Sequence, residues 1–147
     1  MKKFNSIKEA LDFAISREIE SNNFYLELAD FVEQPEMAKV LTDLASEELR
    51  HKATLESIKA GKINLDEQEV GNIGVIETVK DIEIEAKMDY VDMLIIGMKK
   101  EEASCQLYTD LASIALNQDV RDIFIKLAQQ EAAHKLRFEL EYDLMTF

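Results

Sequence analysis

The sequence predicts an all-α fold, an antiparallel four-helix bundle with one long crossover connection. Three observations carry this expectation. Four glycines and one proline in 147 residues are too few to punctuate a many-stranded sheet. Long stretches rich in Ala, Leu, Glu and Lys favour helix. The chain also repeats itself. Displaced by 83 residues, its halves align without a gap over some fifty positions, with about a dozen identities where unrelated segments give roughly three.

The repeat runs from about residue 5 to 60 and from about 88 to 143, within a single domain spanning 1–147. Leu11 falls on Leu94, Glu18 on Glu101, Ser21 on Ser104, and Tyr25-x-x-Leu28-Ala29 on Tyr108-x-x-Leu111-Ala112. Glu48-x-x-His51-Lys52 falls on Glu131-x-x-His134-Lys135. Two copies of a helical hairpin cannot form an array, so they read as the halves of one bundle.

The first helix is predicted to start at Ser6, where Ser6-Ile7-Lys8-Glu9 fits a capping box, and to run to about Val32. Pro35 suits the first position of the second helix, which reaches about Ala60 before Gly61. Asp89 and Asp92 take the cap positions of the third, ending near Leu116. Asn117 or Asp119 caps the fourth, which continues to about Leu144. Short turns make each pair antiparallel, whereas the link from about 61 to 88 is long enough to run the length of a bundle. Within that link Gly71-Asn72-Ile73-Gly74 is a break, and Val75 to Ala86 fits either a short helix or an extended stretch.

Composition excludes several classes. A net charge of −13 argues against nucleic acid, which needs clustered Lys and Arg. The longest apolar run, Met93 to Met98, is far below the roughly 20 residues of a membrane span. Charges at Lys8, Glu9, Asp12 and Arg17 interrupt any signal-peptide core, and the lone Cys105 can form no internal disulfide. The expectation is a reducing, cytoplasmic setting.

The informative polar residues lie on the helix seams. Helix one presents Ile7, Leu11, Ala14, Glu18, Ser21, Tyr25 and Leu28 at heptad spacing; helix three presents Tyr90, Leu94, Gly97, Glu101, Ser104, Tyr108 and Leu111. Glu48 and His51 occupy the seam of helix two, and Glu131 and His134 that of helix four, where Glu141 breaks the apolar pattern. Glu18 lies about fifteen residues before the first turn and Glu48 about fourteen after it, so both sit near mid-bundle. Glu101 and Glu131 repeat the relation.

Four buried carboxylates repel one another and are costly to desolvate, and no Lys or Arg shares these seams. Two divalent cations would balance them, with two neutral imidazoles completing the donor set. Mixed carboxylate and imidazole ligation suits iron or manganese, and zinc also binds such sets. Glu at i and His at i+3 share a helix face. The expected metal ligands are Glu18, Glu48, His51, Glu101, Glu131 and His134. Tyr25 and Tyr108, one heptad beyond the lone glutamates, read equally as core aromatics or as hydrogen-bond partners behind the ligands. Glu102 competes with Glu101 but lies off the seam. Glu20, Glu27, Glu33, Glu47 and Glu56 read as solvated charges, Cys105 as a packing residue, and the six methionines as core filler.

Glu18 with Phe24-Tyr25-x-x-Leu28-Ala29, Glu101 with Tyr108-x-x-Leu111-Ala112, and the two Glu-x-x-His motifs together resemble the rubrerythrin branch of the ferritin-like superfamily. The resemblance covers nearly the whole chain outside the crossover and implies a ferritin-like bundle holding two iron ions. It implies that Glu48 and Glu131 bridge the metals, that Glu18 and Glu101 are terminal carboxylates, and that His51 and His134 each bind one iron. Two departures stand out. Rubrerythrins usually add a rubredoxin module with four cysteine ligands, and this chain has one cysteine. They also carry an extra helix-three glutamate that exchanges with a ligand, where this chain has Ser104 one turn after Glu101.

The function so implied is reduction of hydrogen peroxide or dioxygen, with electrons from an external protein such as a rubredoxin. Iron storage without turnover and a structural metal module are the competing readings. A homodimer is expected because Ile73, Val75, Ile76, Val79, Ile82 and Ile84 make the crossover more apolar than a free linker. Its length also permits exchange of hairpins between chains.

Overall fold

A computed structural model describes residues 4–61 and 89–147. The readings placed on the crossover, including its apolar groups and its break at Gly71–Gly74, lie outside the described residues. Four helices form: α1 (Ile7–Phe31), α2 (Pro35–Lys59), α3 (Tyr90–Ile114) and α4 (Gln118–Thr146).

Each start has a local cause. Ser6 sits in extended backbone and its hydroxyl accepts from the Glu9 amide. The box closes one residue early, because the Glu9 carboxylate accepts from Asn5 N and not from Ser6. The α2 helix has no side-chain cap and starts on Pro35, whose missing N–H removes one of the unpaired donors. Asp89 and Asp92 form a full reciprocal box on α3. Of the two candidates for α4, Asn117 is the cap, accepting from Val120 N. Gly61, with φ +77°, follows the end of α2 in the left-handed region that only glycine enters without strain.

Packing fixes the helix directions. One apolar cluster combines Ile7, Leu11 and Ala14 of early α1 with Leu55 and Ile58 of late α2, Leu107 to Ala112 of late α3, and Val120 to Ala128 of early α4. The other combines late α1 (Phe24, Tyr25, Leu28) with early α2, early α3 (Met93, Leu94, Ile96) and Phe138 of late α4. Hence α1 opposes both α2 and α3, and α2 runs parallel to α3. A 25-residue helix is about 37 Å long at 1.5 Å per residue. The chain leaves α2 at one end of the bundle and enters α3 at the other.

The two halves are related by a pseudo-twofold axis but do not pack identically. Where the first half has Ile7 and Ile58, both fully apolar and buried, the second has Tyr90 and Glu141, and the Tyr90 hydroxyl donates to Glu141 Oε1 at 3.1 Å. That pair accounts for the break in the α4 seam. Where the first half has Ala14 and Leu55, the second has Gly97 and Phe138, with the larger ring opposite the smaller residue. Between the apolar ends lies one polar layer at mid-bundle. No described helix is long and apolar enough to cross a membrane.

Candidate metal centre

The polar layer contains all six sequence-predicted ligands. α1 contributes Glu18, α2 Glu48 and His51, α3 Glu101, and α4 Glu131 and His134. None of their side chains is more than about 5% exposed. Glu102, the competitor of Glu101, is 69% exposed and pairs with Lys135 at 3.8 Å.

Their donor atoms form two overlapping groups. Glu18, Glu48, His51 and Glu131 bring one atom each within 4.8 Å of one another, and so do Glu48, Glu101, Glu131 and His134. Glu48 and Glu131 belong to both. His51 Nδ1 stands 2.7 Å from Glu131 Oε1 and 3.6 Å from Glu18 Oε2; His134 Nδ1 stands 3.2 Å from Glu48 Oε1 and 3.6 Å from Glu101 Oε1. The imidazoles lie nearly parallel, with centroids 6.0 Å apart.

Hydrogen bonding sorts the oxygens. Tyr108 donates to Glu18 Oε1 at 2.5 Å, and Tyr25 donates to Glu101 Oε1. The pairing is crosswise between α1 and α3, as antiparallel neighbours require. Each tyrosine is therefore both a core aromatic, packed on Phe138 or Phe124, and the partner of a lone glutamate. Nine buried side-chain polar atoms lack a hydrogen-bond partner among the described residues, and eight belong to this cluster. They are Glu18 Oε2, Glu101 Oε2, both oxygens of Glu48 and of Glu131, and Nδ1 of each histidine. Buried polar atoms are nearly always paired, so this concentration of free lone pairs fits a cation-binding cage. The donor set, one free oxygen from each lone glutamate and two from each shared one, suits two metal ions.

Charge gives the same result. Burial pushes the Glu18 carboxyl up to about 7, with Glu48 adding to it, and the Glu48 carboxyl up to about 7, with Glu131 adding. Glu101 rises to about 8 through burial and the charge of Glu18, and Glu131 rises well above the usual range through burial and the charges of Glu101 and Glu18. Burial opposes a charged His51, yet Glu131 and Glu18 outweigh it and lift the ring to about 10. His134 reaches about 9 against burial through Glu48 and Glu131. Without metal, the cluster holds protons in the positions where cations would bind.

One expectation is corrected. Glu47 is not simply a solvated charge: its Oε2 accepts from His134 Nε2 at 2.9 Å. On the other side His51 Nε2 meets Gln130 Oε1 at 2.8 Å. Both residues immediately precede a motif glutamate, at equivalent positions of the repeat. That placement, polar in both halves, was the signal that could have found them. Each leaves the inward Nδ1 of its histidine as the lone-pair donor.

A solved structure described as a hypothetical protein from Pyrococcus furiosus is similar to this chain, with a TM-score of 0.77 and 25% sequence identity, covering 94% of this chain and 89% of that one. No curated protein matches the sequence. The family model for rubrerythrin matches residues 9–142, which takes in all four helices and every residue of the polar layer. The fold is the ferritin-like four-helix bundle, and the chain belongs to the rubrerythrin family.

Proposed function

We propose that the protein is a di-iron carboxylate redox protein that reduces hydrogen peroxide or dioxygen in the cytoplasm, using electrons from a separate carrier such as a rubredoxin. The observation that supports it best is the set of eight unpaired, inward-facing donor atoms at mid-bundle. In this reading Glu48 and Glu131, common to both groups of donor atoms, would be shared by two irons, Glu18 with His51 and Glu101 with His134 would complete the two positions, and the active form is a homodimer. Bound iron supplies the electrons that reach the oxidant.

The protein's own residues orient and insulate. Tyr108 and Tyr25 each tie one oxygen of a terminal glutamate and aim the other inward. The two apolar ends keep water from the layer and hold the ligands at one height. Ser21 and Ser104, one turn after the terminal glutamates, offer no further carboxylate for exchange, so the ligand set is fixed and symmetric. Metal analysis of protein purified anaerobically should give about two irons per chain, and the di-ferrous protein mixed with peroxide in a stopped-flow cell should oxidise faster than free ferrous ion. Bound zinc, or oxidation at the free-ion rate, would support a structural or storage role instead.

A further inference from the structure

We propose that the two metal positions are inequivalent, and that the one served by His134 binds a divalent cation more tightly and fills first. The inference rests on the metal-centre reading above and concerns residues outside the ligand set. In a duplicated bundle the two positions start out equivalent, so a difference must come from residues at which the repeat is broken. Glu47 and Gln130 are such a pair. Each accepts from the outward nitrogen of the histidine across the α2–α4 seam, Glu47 from His134 at 2.9 Å and Gln130 from His51 at 2.8 Å.

The difference between them is one full charge. A carboxylate can only accept, so Glu47 locks His134 with its proton on Nε2 and its lone pair on the inward Nδ1. Its charge also makes the ring a better donor to a cation. Gln130 is neutral, and its amide can rotate to present either an acceptor or a donor, so it enforces the tautomer of His51 less firmly.

Neighbouring charges at broken-repeat positions point the same way. Arg50 and Lys126 line, with His51 and Gln130, a cavity of about 280 Å³ on the α2–α4 face. Glu47 reaches that cavity as well. The repeat partner of Lys126 is Asp43 and that of Arg50 is Ala133. Asp43 is partly offset by Lys39 at 2.9 Å, and Arg137, the partner of Thr54, returns one positive charge to the second half, where it acts on Tyr90. Set against Arg137, the two cations near His51 leave an excess of one positive charge there, opposite a hydrogen-bonded carboxylate on His134. Second-sphere partners of this kind change metal affinity by about 10–100-fold.

Zinc(II) is a suitable probe because it is diamagnetic and binds both donor types. The chain has only two histidines, so its imidazole nitrogens form two spin systems that two-dimensional 1H–15N spectra resolve. At one equivalent of zinc added to chelator-stripped protein, the His134 nitrogens should shift while His51 stays near its metal-free position. Glu47→Gln should weaken that preference, and the exchange Glu47→Gln with Gln130→Glu, which puts the directly bonded carboxylate on His51, should reverse it, so that His51 responds first. Both residues sit at the outer edge of the layer, and circular dichroism of each variant checks the fold. Parallel shifts of the two rings in the wild type, or an order that the exchange leaves unaltered, overturn the proposal while leaving the metal centre standing. Spectra that do not respond to zinc at all overturn the metal-centre reading beneath it.

Discussion

Removing metal and raising the pH should destabilise this protein, the reverse of what an ordinary carboxylate-rich protein does on leaving acid. The cause is the polar layer. Glu18 has an ordinary carboxyl value of 4.5 in the unfolded chain and about 7 in the folded one. Between those values the folded state binds more protons than the unfolded state, so stability falls as pH rises. At about 1.4 kcal/mol per pH unit, Glu18 alone accounts for a loss of about 3 kcal/mol. Glu48 and Glu101 act in the same direction. The extra protons on His51 and His134 stabilise fully below 6.5 and are lost as pH rises through about 9 to 10. These groups share one field, so their contributions do not add. A loss of about 3 kcal/mol or more is still a large fraction of a total stability of about 5–15 kcal/mol.

The assay is urea unfolding of chelator-stripped protein, followed by circular dichroism at several pH values from about 5 to about 8. Glu18→Gln separates the layer from the repulsion of the acidic surface, since the amide imitates the protonated acid. Its stability should fall less steeply with pH by about 3 kcal/mol over the range. With saturating divalent metal the sign should invert, because binding requires deprotonated ligands and the metal-induced stabilisation grows with pH. Metal-free protein whose stability is flat or rising across this window, or a Glu18→Gln variant with the wild-type slope, would refute the reasoning.

Other perturbations follow from particular contacts. Tyr25→Phe and Tyr108→Phe each leave a buried glutamate oxygen without its donor and should cost about 1–3 kcal/mol in urea unfolding of the metal-free protein. Gly97→Ala gains about 1 kcal/mol of helix propensity but places its Cβ 3.1 Å from the Phe138 ring. A net loss of about 1 kcal/mol or more is expected, and Phe138→Leu in the same chain should recover most of it, measured as a double-mutant cycle. Tyr90→Phe should cost about 1–3 kcal/mol by stranding Glu141, whereas Tyr90→Ile with Glu141→Ile, which copies the first half, should be neutral or stabilising in thermal melts.

Most of the fold and the inner ring of the site were legible in the sequence because both leave periodic marks. Helices write their buried face every three to four residues, and a charged residue on that face is conspicuous once the apolar pattern around it is set. Glu18, Glu48, Glu101 and Glu131 were visible for that reason, and the repeat placed them at one height. Helix ends were legible where a side chain does the capping, as at Ser6, Asp89 and Asn117.

What periodicity could not show was contact between helices at the margin of the seam. Glu47 lies one position off it and is 37% exposed, so by pattern alone it is a solvated charge. Its bond to His134 depends on the lateral offset of α2 and α4, which no single helix encodes. The tyrosines were ambiguous for a similar reason. Both sit on the seam, but the choice between packing and hydrogen bonding rests on which helix faces them. The antiparallel crossing of α1 and α3 brings Tyr25 to Glu101 and Tyr108 to Glu18, and both roles are filled at once.

Duplication explains how the layer is built and where it is adjustable. A single hairpin supplies two carboxylates and one imidazole on one face, which cannot balance or fully enclose a pair of cations. The pseudo-twofold axis doubles that set and makes Glu48 and Glu131 common to both groups. Changing either of these shared glutamates would alter both groups at once. Residues just off the axis are free to diverge. Ile7 with Ile58 corresponds to Tyr90 with Glu141, and Ala14 with Leu55 to Gly97 with Phe138, while the six residues of the polar layer are the same in both halves. Glu47 and Gln130 differ in the same way, but they touch the histidines, so there the break reaches the polar layer itself.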